Sequence, residues 1–455
     1  MKDQSIYKKA MMLAVPMMIQ NGITNAVSLV DNLMVGSLGT ERMTAVSIIG
    51  QLIFVFSLAI FGGLSGPGIY CAQYFGQGNK EGFQNVFRLK IWIGFAITAG
   101  GILTFTFAGR NLIGLYLSGS ASGIDAGTTL NYGLDYLHIM LIGLLPFTIT
   151  QIYASSLREI GESIKPMVGG IASVIVDVLF NYLLIYGKFG MPRLEVKGAA
   201  IATVLARFVE MFIVVIWTHI SIKKYSFLQG VYKKISVPLH MAKPIVIKGL
   251  PIFLNEFLWS GGIAALTQCY SIKGLQIVAG LNISNAICNL LNVVFIAMGN
   301  AVGIVIGQYL GASKFEEAKK VSDKLRWFTA GICLILTAIL IACSKGFPMM
   351  YDTSDDIRHL AQWFIIITAV FFPVQGFLNV LYFTLRSGGK TIITFLFDSG
   401  FTWVVSVSLA YILCKWTMLS ILTIYVIIQA ADLIKVIIGY ILVKKGIWLT
   451  NLVVG

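Results

Sequence analysis

The sequence predicts an all-α integral membrane protein, with twelve transmembrane helices in two six-helix bundles related by a pseudo-twofold along the membrane normal. Three observations predict it. Hydrophobic residues make up 57% of the 455 and charged residues 12%, about half the roughly 25% charged of soluble chains, and the mean hydropathy is +0.83. Apolar runs long enough to cross a bilayer recur along the whole chain, separated by short loops. An internal repeat then divides those runs into two sets of six. A soluble core cannot absorb this much apolar side chain without exposing patches that aggregate, so lipid is the solvent for most of the chain. That excludes a soluble enzyme, a nucleic-acid binder with a side anchor and a receptor with a large ectodomain.

The runs lie near 10–35, 45–75, 88–109, 128–156, 167–187, 198–220, 244–270, 277–308, 326–347, 360–385, 392–413 and 417–443. In hydrocarbon every backbone donor needs an internal partner, so runs of about 20 residues or more become helices. The ten-residue alternating segments of an outer-membrane barrel are missing. The first run holds Pro16, Asn21 and Asp31 and no small-residue cleavage site, unlike a signal peptide.

The net charge of +14 is a topology signal once mapped. Of the 34 Lys and Arg, 23 lie at the termini and in or at the margins of the even-numbered loops and 9 in or at the margins of the odd-numbered loops; Arg207 and Lys435 fall well inside spans. By the positive-inside rule both termini are cytoplasmic. The long loop after span 6, with Lys223, Lys224, Lys233, Lys234, Lys243 and Lys248, reads as a linker. The expected organisation is an N-lobe at 1–220, a cytoplasmic linker at 221–243 and a C-lobe at 244–455.

The repeat supports that division. Gln73-Tyr74-Phe75-Gly76 recurs as Gln308-Tyr309-Leu310-Gly311, 235 residues on, and the same offset maps Pro16 onto Pro251 and Gly39 onto Gly274. Leu157-Arg158 with Gly161 recurs as Leu385-Arg386 with Gly389, 228 residues on. Six spans per half insert both halves the same way up, which places the pseudo-twofold along the membrane normal.

Ionisable groups inside a membrane are costly, so each is a functional candidate. Arg207 with Glu210, and Asp432 with Lys435, are three apart and are expected to be structural ion pairs. Asp31 has no basic neighbour in its span, where Asn21, Asn25, Ser28 and Asp31 share one helical face. Asp177 and Asn181 are four apart on span 5, and Thr203 lies on span 6. Asp31, Asp177, Asn181 and Thr203 therefore form a candidate cation-coupling site of hard oxygens, suited to a proton or Na⁺; two nearby carboxylates also resist joint ionisation.

The second half carries Glu256, with Trp259 on the same face, an asparagine stripe at Asn282, Asn285, Asn289 and Asn292, the pair Gln375 and Asn379, and Asp398. A carboxylate beside an aromatic ring suits an organic cation, so these residues are candidates for substrate binding or a second coupling site. Pro16 and Pro251 each remove a backbone hydrogen bond and give their helices a place to bend.

Several stretches resemble the multidrug and toxic compound extrusion (MATE) transporters across nearly the whole chain. They are Asp31-Asn32-Leu33-Met34-Val35-Gly36 with Leu38-Gly39, Gln73 through Gly76, Asn181 through Gly187, Gly198 through Thr203, Leu250-Pro251 with Glu256, and Leu385-Arg386-Ser387-Gly388-Gly389. The resemblance implies cation-driven export of amphipathic, often cationic small molecules by alternating access. It aligns Asp31, Asn181 and Thr203 with the family's N-lobe cation site and Glu256 with its C-lobe acid. Asp177 stands where relatives usually have Asn, and Gln375 where some carry Asp, which moves the expected coupling site to the first half with H⁺ and Na⁺ both open. The chain is expected in a bacterial inner membrane, working as a monomer among lipid, with no nucleic-acid partner and no cofactor beyond the coupling ion.

Rival readings are a major-facilitator-type transporter and a flippase for lipid-linked precursors. Loop 2–3, Gly-Gln-Gly-Asn-Lys-Glu, lacks the glycine/acid/arginine motif of the first, and the mostly acid and amide interior lacks the basic residues the second would place around a pyrophosphate. An enzyme is disfavoured because His138, His219, His240 and His359 are scattered, and the six cysteines form no metal or redox pattern. No Walker motif occurs, so ATP is not the direct driver.

Overall fold

The protein is described here by a computed structural model covering residues 5–117 and 125–454, the side chains of Leu29 and Ser226 excepted. Its helices are α1 (Ile6–Gly36), α2 (Thr40–Gln77), α3 (Lys80–Leu117), α4 (Ala126–Ile142), α5 (Leu144–Glu159), α6 (Ile164–Tyr186), α7 (Glu195–Ile220), α8 (Leu239–Ser271), α9 (Leu275–Gly311), α10 (Phe315–Cys343), α11 (Asp355–Ser387), α12 (Thr391–Phe395), α13 (Ser408–Trp416) and α14 (Ile421–Lys444). No strand occurs among the described residues. Among the described residues, eleven helical segments are long and apolar enough to cross a membrane, and α4 with α5 brings the number to twelve if that pair is one span. The all-α membrane class read from the sequence therefore holds.

The run at 128–156 is not the single helix expected. It breaks at Gly143, which caps both α4 and α5, and bends by 45°. Pro146 contributes to the break: it has no N–H to offer the carbonyl of Ile142, so one bond of the helical ladder is lost there. The eleventh run is also irregular. Between α12 and α13, residues Leu396–Gly400 and Thr402–Val407 wind as π-helix, a form that concentrates at functional positions.

The chain divides into two compact units that are not contiguous in sequence. One comprises the chain up to Met18, Ala72–Asn79, and everything from Ile245 onward; the other comprises Ile19–Cys71 and Lys80–Pro244. Compared with a division at the 221–243 linker, the start of α1 and the end of α2 thus group with the second half. Burial gives the reason. Ala10, Leu13, Ala14 and Met17 of α1 bury in one core with Ala297, Met298, Ala301, Val302 and Val305 of α9 and with Val380, Leu381 and Leu385 of α11. Pro16 is buried with them, whereas Ile19, Val30 and Leu33 farther along α1 are exposed.

The repeated tetrapeptides meet within the first unit. A Cβ added at Gly76 would collide with the backbone carbonyl of Gln308, and one added at Gly311 would collide with that of Gln73. The two copies pack reciprocally, and each needs its glycine because backbone occupies the side-chain space. Gln73 completes the joint: its amide donates to the carbonyl of Ser387 at 2.8 Å, and its oxygen accepts from the N–H of Leu452 at 2.7 Å.

In the second unit, the linker is docked. Arg88 Nε donates to the carbonyl of Val231 at 2.7 Å, Gln84 to that of Gln229 at 2.8 Å, and Glu162 accepts from Lys224 at 2.8 Å and from Tyr225 at 3.1 Å. The six cysteines are free thiols, buried except for Cys343.

Candidate functional site

The first-half cluster assembles from three helices of one unit. Helix α6 ends on Gly187 in the left-handed conformation, and the chain returns as α7. Gly198 then lets α7 lie against the backbone of Leu184, where a Cβ would be only 2.7 Å from that carbonyl. This close packing brings Thr203 beside the Asp177–Asn181 face. Helix α1 supplies Asp31. The Asn181 amide donates to Asp31 Oδ1 at 2.9 Å, a charge-assisted bond when Asp31 is ionised. The carboxyl groups of Asp31 and Asp177 stand within hydrogen-bonding reach of one another, and Asp177 is also within reach of Thr203.

Two features show what this arrangement can do. Asp177 Oδ1 and Asn181 Oδ1 are buried without a partner, which is costly for oxygens aimed into a cluster. No Lys or Arg comes within ion-pair distance of Asp31, Asp177, Glu256 or Asp398 among the described residues. Two adjacent carboxyls cannot both remain charged at low cost, and a proton or small cation between them removes the repulsion. The orphaned oxygens fit such an ion. The Thr203 hydroxyl donates to the carbonyl of Ala199 at 3.2 Å and stands within reach of Asp177. Among the described residues no three His, Cys, Asp or Glu side chains gather as a metal cluster, so the donor set is carboxylate, amide and hydroxyl.

One neighbour escaped the sequence reading, and a second is placed differently from what the sequence led us to expect. Tyr136 of α4 is buried beside Thr203 and both acids. Arg207, expected to pair with Glu210, does not. It donates to the carbonyl of Gly143 at 3.3 Å and lies 5.3 Å from the Phe147 ring, while Glu210 accepts from Gln20 at 3.5 Å. The break at Gly143 is the physical reason: its buried backbone carbonyl, at the bend between α4 and α5, accepts from the guanidinium. Asn21, Asn25 and Ser28 share the α1 face but are exposed and join no contact with Asp31.

The second-half candidates separate into three groups. Asp398 accepts from the Asn255 amide at 2.9 Å, and the Asn255 oxygen in turn accepts from the Ser399 hydroxyl at 2.6 Å and its N–H at 3.3 Å. Glu256 is electrostatically coupled to Asp398 and to Arg386, yet it makes no hydrogen bond or ion pair among the described residues. Arg386 lies against the rings of Tyr382 and Phe383, 5.9 and 5.2 Å away. Asn255 and Ser399 were not singled out from the sequence, and Arg386 stood out there only as a repeat and family marker, not as a site residue. Trp259 is 41% exposed on the Glu256 face, and the nearby π-helical segment sends Trp403 Nε1 to the carbonyl of Leu258 at 2.7 Å.

Asn282, Asn285 and Asn289 are exposed, and Asn292 donates to Asn289 at 3.1 Å. They do not tie helices together. Gln375 leaves the Glu256 group for α14, where it donates to Asp432, and Asp432 forms the expected ion pair with Lys435 at 2.7 Å. The Asn379 oxygen packs against Gly299 without a hydrogen bond. Pro251 lies inside α8, one turn before Asn255 and Glu256.

An all-helical, multi-pass membrane protein with Asp31, Asp177, Glu256 and Asp398 inside it, none in ion-pair contact among the described residues, has the build of a membrane transporter. The MatE profile matches residues 16–183 and 251–412, and the chain belongs to the MatE family of transporters. It is 24% identical over 446 residues to the probable multidrug resistance protein YoeA of Bacillus subtilis, covering 96% of this chain and 93% of that one. It is also 24% identical over 424 residues to the probable multidrug resistance protein NorM of Thermotoga maritima, covering 92% and 88%. Among solved structures, an outward-facing MATE transporter of the MOP superfamily superposes with a TM-score of 0.85 at 20% identity, covering 98% of this chain and 96% of that one. A MOP superfamily transporter from Pyrococcus furiosus superposes at 0.83 and 20% identity, with the same coverage. At such identities the structures establish a shared fold.

Proposed function

We propose that this protein is a secondary active exporter of amphipathic, cationic small molecules, driven by inward movement of H⁺ or Na⁺ through alternating access. Its setting is a bacterial inner membrane, with both termini cytoplasmic and the monomer as the working unit. The observation that carries the reading is the cluster of Asp31, Asp177, Asn181 and Thr203, two adjoining acids with one unpartnered buried oxygen on Asp177 and one on Asn181, and no Lys or Arg in ion-pair contact with either acid among the described residues. The multidrug resistance names of the relatives support the cargo class.

In this reading an ion entering from outside neutralises the Asp31–Asp177 pair. Asp31 then loses the negative charge that the Asn181 amide holds, and α1 is released to bend at Pro16. The ion drives export only because it binds the two states of the carrier with different affinity. Glu256 and Trp259, on one face of α8 and without a fixed partner for the acid, supply charge and ring for a cationic cargo.

The test is dye efflux from proteoliposomes with a sodium gradient and a pH gradient imposed separately. Efflux driven by one gradient and absent without it is expected. Efflux that ignores both gradients would sink the proposal.

A further inference from the structure

Two helices of one unit pass from charged to apolar sequence at the same place. In α10 the stretch Glu316–Arg326 is rich in charge, and from Trp327 no charged residue occurs before Lys345. In α1, Lys8 and Lys9 follow Tyr7, and no charged residue follows them before Asp31. The structure sets these transitions side by side: the Tyr7 and Phe328 rings are 4.9 Å apart. Tyr7, Asp323, Lys324, Trp327 and Phe328 line an open cleft of about 370 Å³.

The chemistry of the cleft has two halves. Trp327 is 68% exposed and Tyr7 39%, large amphipathic rings at the level where a helix enters hydrocarbon, as in the aromatic belts of membrane proteins. Asp323 is spent on an ion pair with Arg326, which is itself buried against Phe377 and Tyr440. Lys324 is left without an ion-pair partner among the described residues, and Lys320, one turn earlier on the same face, is exposed. A positive rim above exposed rings at the membrane boundary is complementary to a phosphate carrying acyl chains. A cationic cargo would be repelled, and a zwitterionic headgroup offers no net charge.

We propose that this cleft binds the headgroup of an anionic phospholipid, its phosphate on Lys324 and Lys320 and its glycerol and upper acyl chain across Trp327, Tyr7 and Phe328. By the Lys and Arg distribution this is the cytoplasmic leaflet. Tyr7 begins the helix that carries Asp31, so a bound lipid holds the start of α1 against α10.

The test is native mass spectrometry of the full-length protein with equimolar phosphatidylglycerol and phosphatidylcholine. The wild type should retain phosphatidylglycerol preferentially. Each of Lys324→Gln and Lys320→Gln should lower that preference by about fivefold and the double variant on the order of 25-fold, while Lys345→Gln at the far end of α10 should leave it unchanged. Trp327→Ala should reduce retention of both lipids. Both lysines are at the surface, so the variants remain folded, which circular dichroism checks. An undiminished preference in the double variant would overturn the proposal. So would displacement of the lipid by millimolar inorganic phosphate, which would make the cleft a site for free phosphate.

Discussion

Replacing Asp31 with Asn separates coupling from folding. The substituted side chain keeps an oxygen for the Asn181 amide, now 2.9 Å from Asp31 Oδ1, so the contact survives as a neutral bond. A charge-assisted bond contributes about 1.5–3 kcal/mol and a neutral one about 1, a local loss the fold tolerates. The functional loss is larger. One pH unit supplies about 1.4 kcal/mol per proton, a tenfold cargo gradient, and each net charge moved adds about 2.3 kcal/mol per 100 mV. Exchange of one proton for one monovalent cation moves no net charge, so it sustains only about tenfold accumulation per pH unit. Two protons moved together per cargo would supply about 5 kcal/mol at one pH unit and 100 mV, or on the order of several thousandfold. For Asp31→Asn the steady-state ratio of cargo across proteoliposomes should fall to one, with passive equilibration remaining. Uphill export at the wild-type ratio would show that Asp31 carries no ion.

Three further outcomes follow from the packing. Gly76→Ala or Gly311→Ala forces a Cβ onto the carbonyl of Gln308 or Gln73 and should destabilise by about 1–3 kcal/mol or more, read as a lower melting temperature in detergent; Gly78→Ala, where no atom lies within 4 Å, tests the strain of its φ of 77° rather than a collision. Lys90, whose side chain is 0% exposed, pairs with Glu159 at 2.7 Å, so Lys90→Met alone should cost about 3–5 kcal/mol by leaving an uncompensated buried charge, and adding Glu159→Leu should recover most of it. At Glu162, burial pushes the carboxyl upward, but hydrogen bonds from Lys224 and Tyr225 and the charges of Lys224 and Lys165 outweigh it and hold it below the ordinary range. A group held low stabilises the fold above its ordinary value of about 4.3, and that contribution is lost as pH falls through its lower folded value. Protection of linker residues 221–238 from proteolysis should therefore be flat from about pH 8 to 5 and fall below about pH 4, a drop that Glu162→Gln should abolish.

The spans were legible because lipid allows one backbone solution, and hydropathy alone therefore fixes their class. The helix break at Gly143 was not read, although Pro146 signalled it: a proline within a long apolar run can kink, break or merely start a helix, and packing decides. The first-half site was readable as far as spacing goes. Asp177 and Asn181 share a face by periodicity, and Asp31 stood out by lacking a basic neighbour, but the bond between α1 and α6 spans 150 residues and no local pattern encodes it. The same limit explains the misses. Asn255 sits next to Glu256 yet points toward Asp398 and Ser399 on another helix. The i,i+3 spacing of Arg207 and Glu210 permitted an ion pair, but a backbone carbonyl and Gln20 took the two groups. Lys90 looked like a loop residue at the edge of an apolar run and proved fully buried against an acid 69 residues away. The π-helical turns around Asp398 have no sequence signature, because their register is set by what packs against them.

The most direct measurement is the ion flux that cargo itself drives. Proteoliposomes loaded with a cationic dye, with no ion gradient imposed, are diluted into dye-free buffer while internal pH and internal Na⁺ are recorded. Dye leaving down its gradient should draw one of the two ions inward in fixed proportion, and Asp31→Asn should abolish that counterflow while dye still leaks. Dye movement unaccompanied by either ion in the wild-type protein would contradict the account.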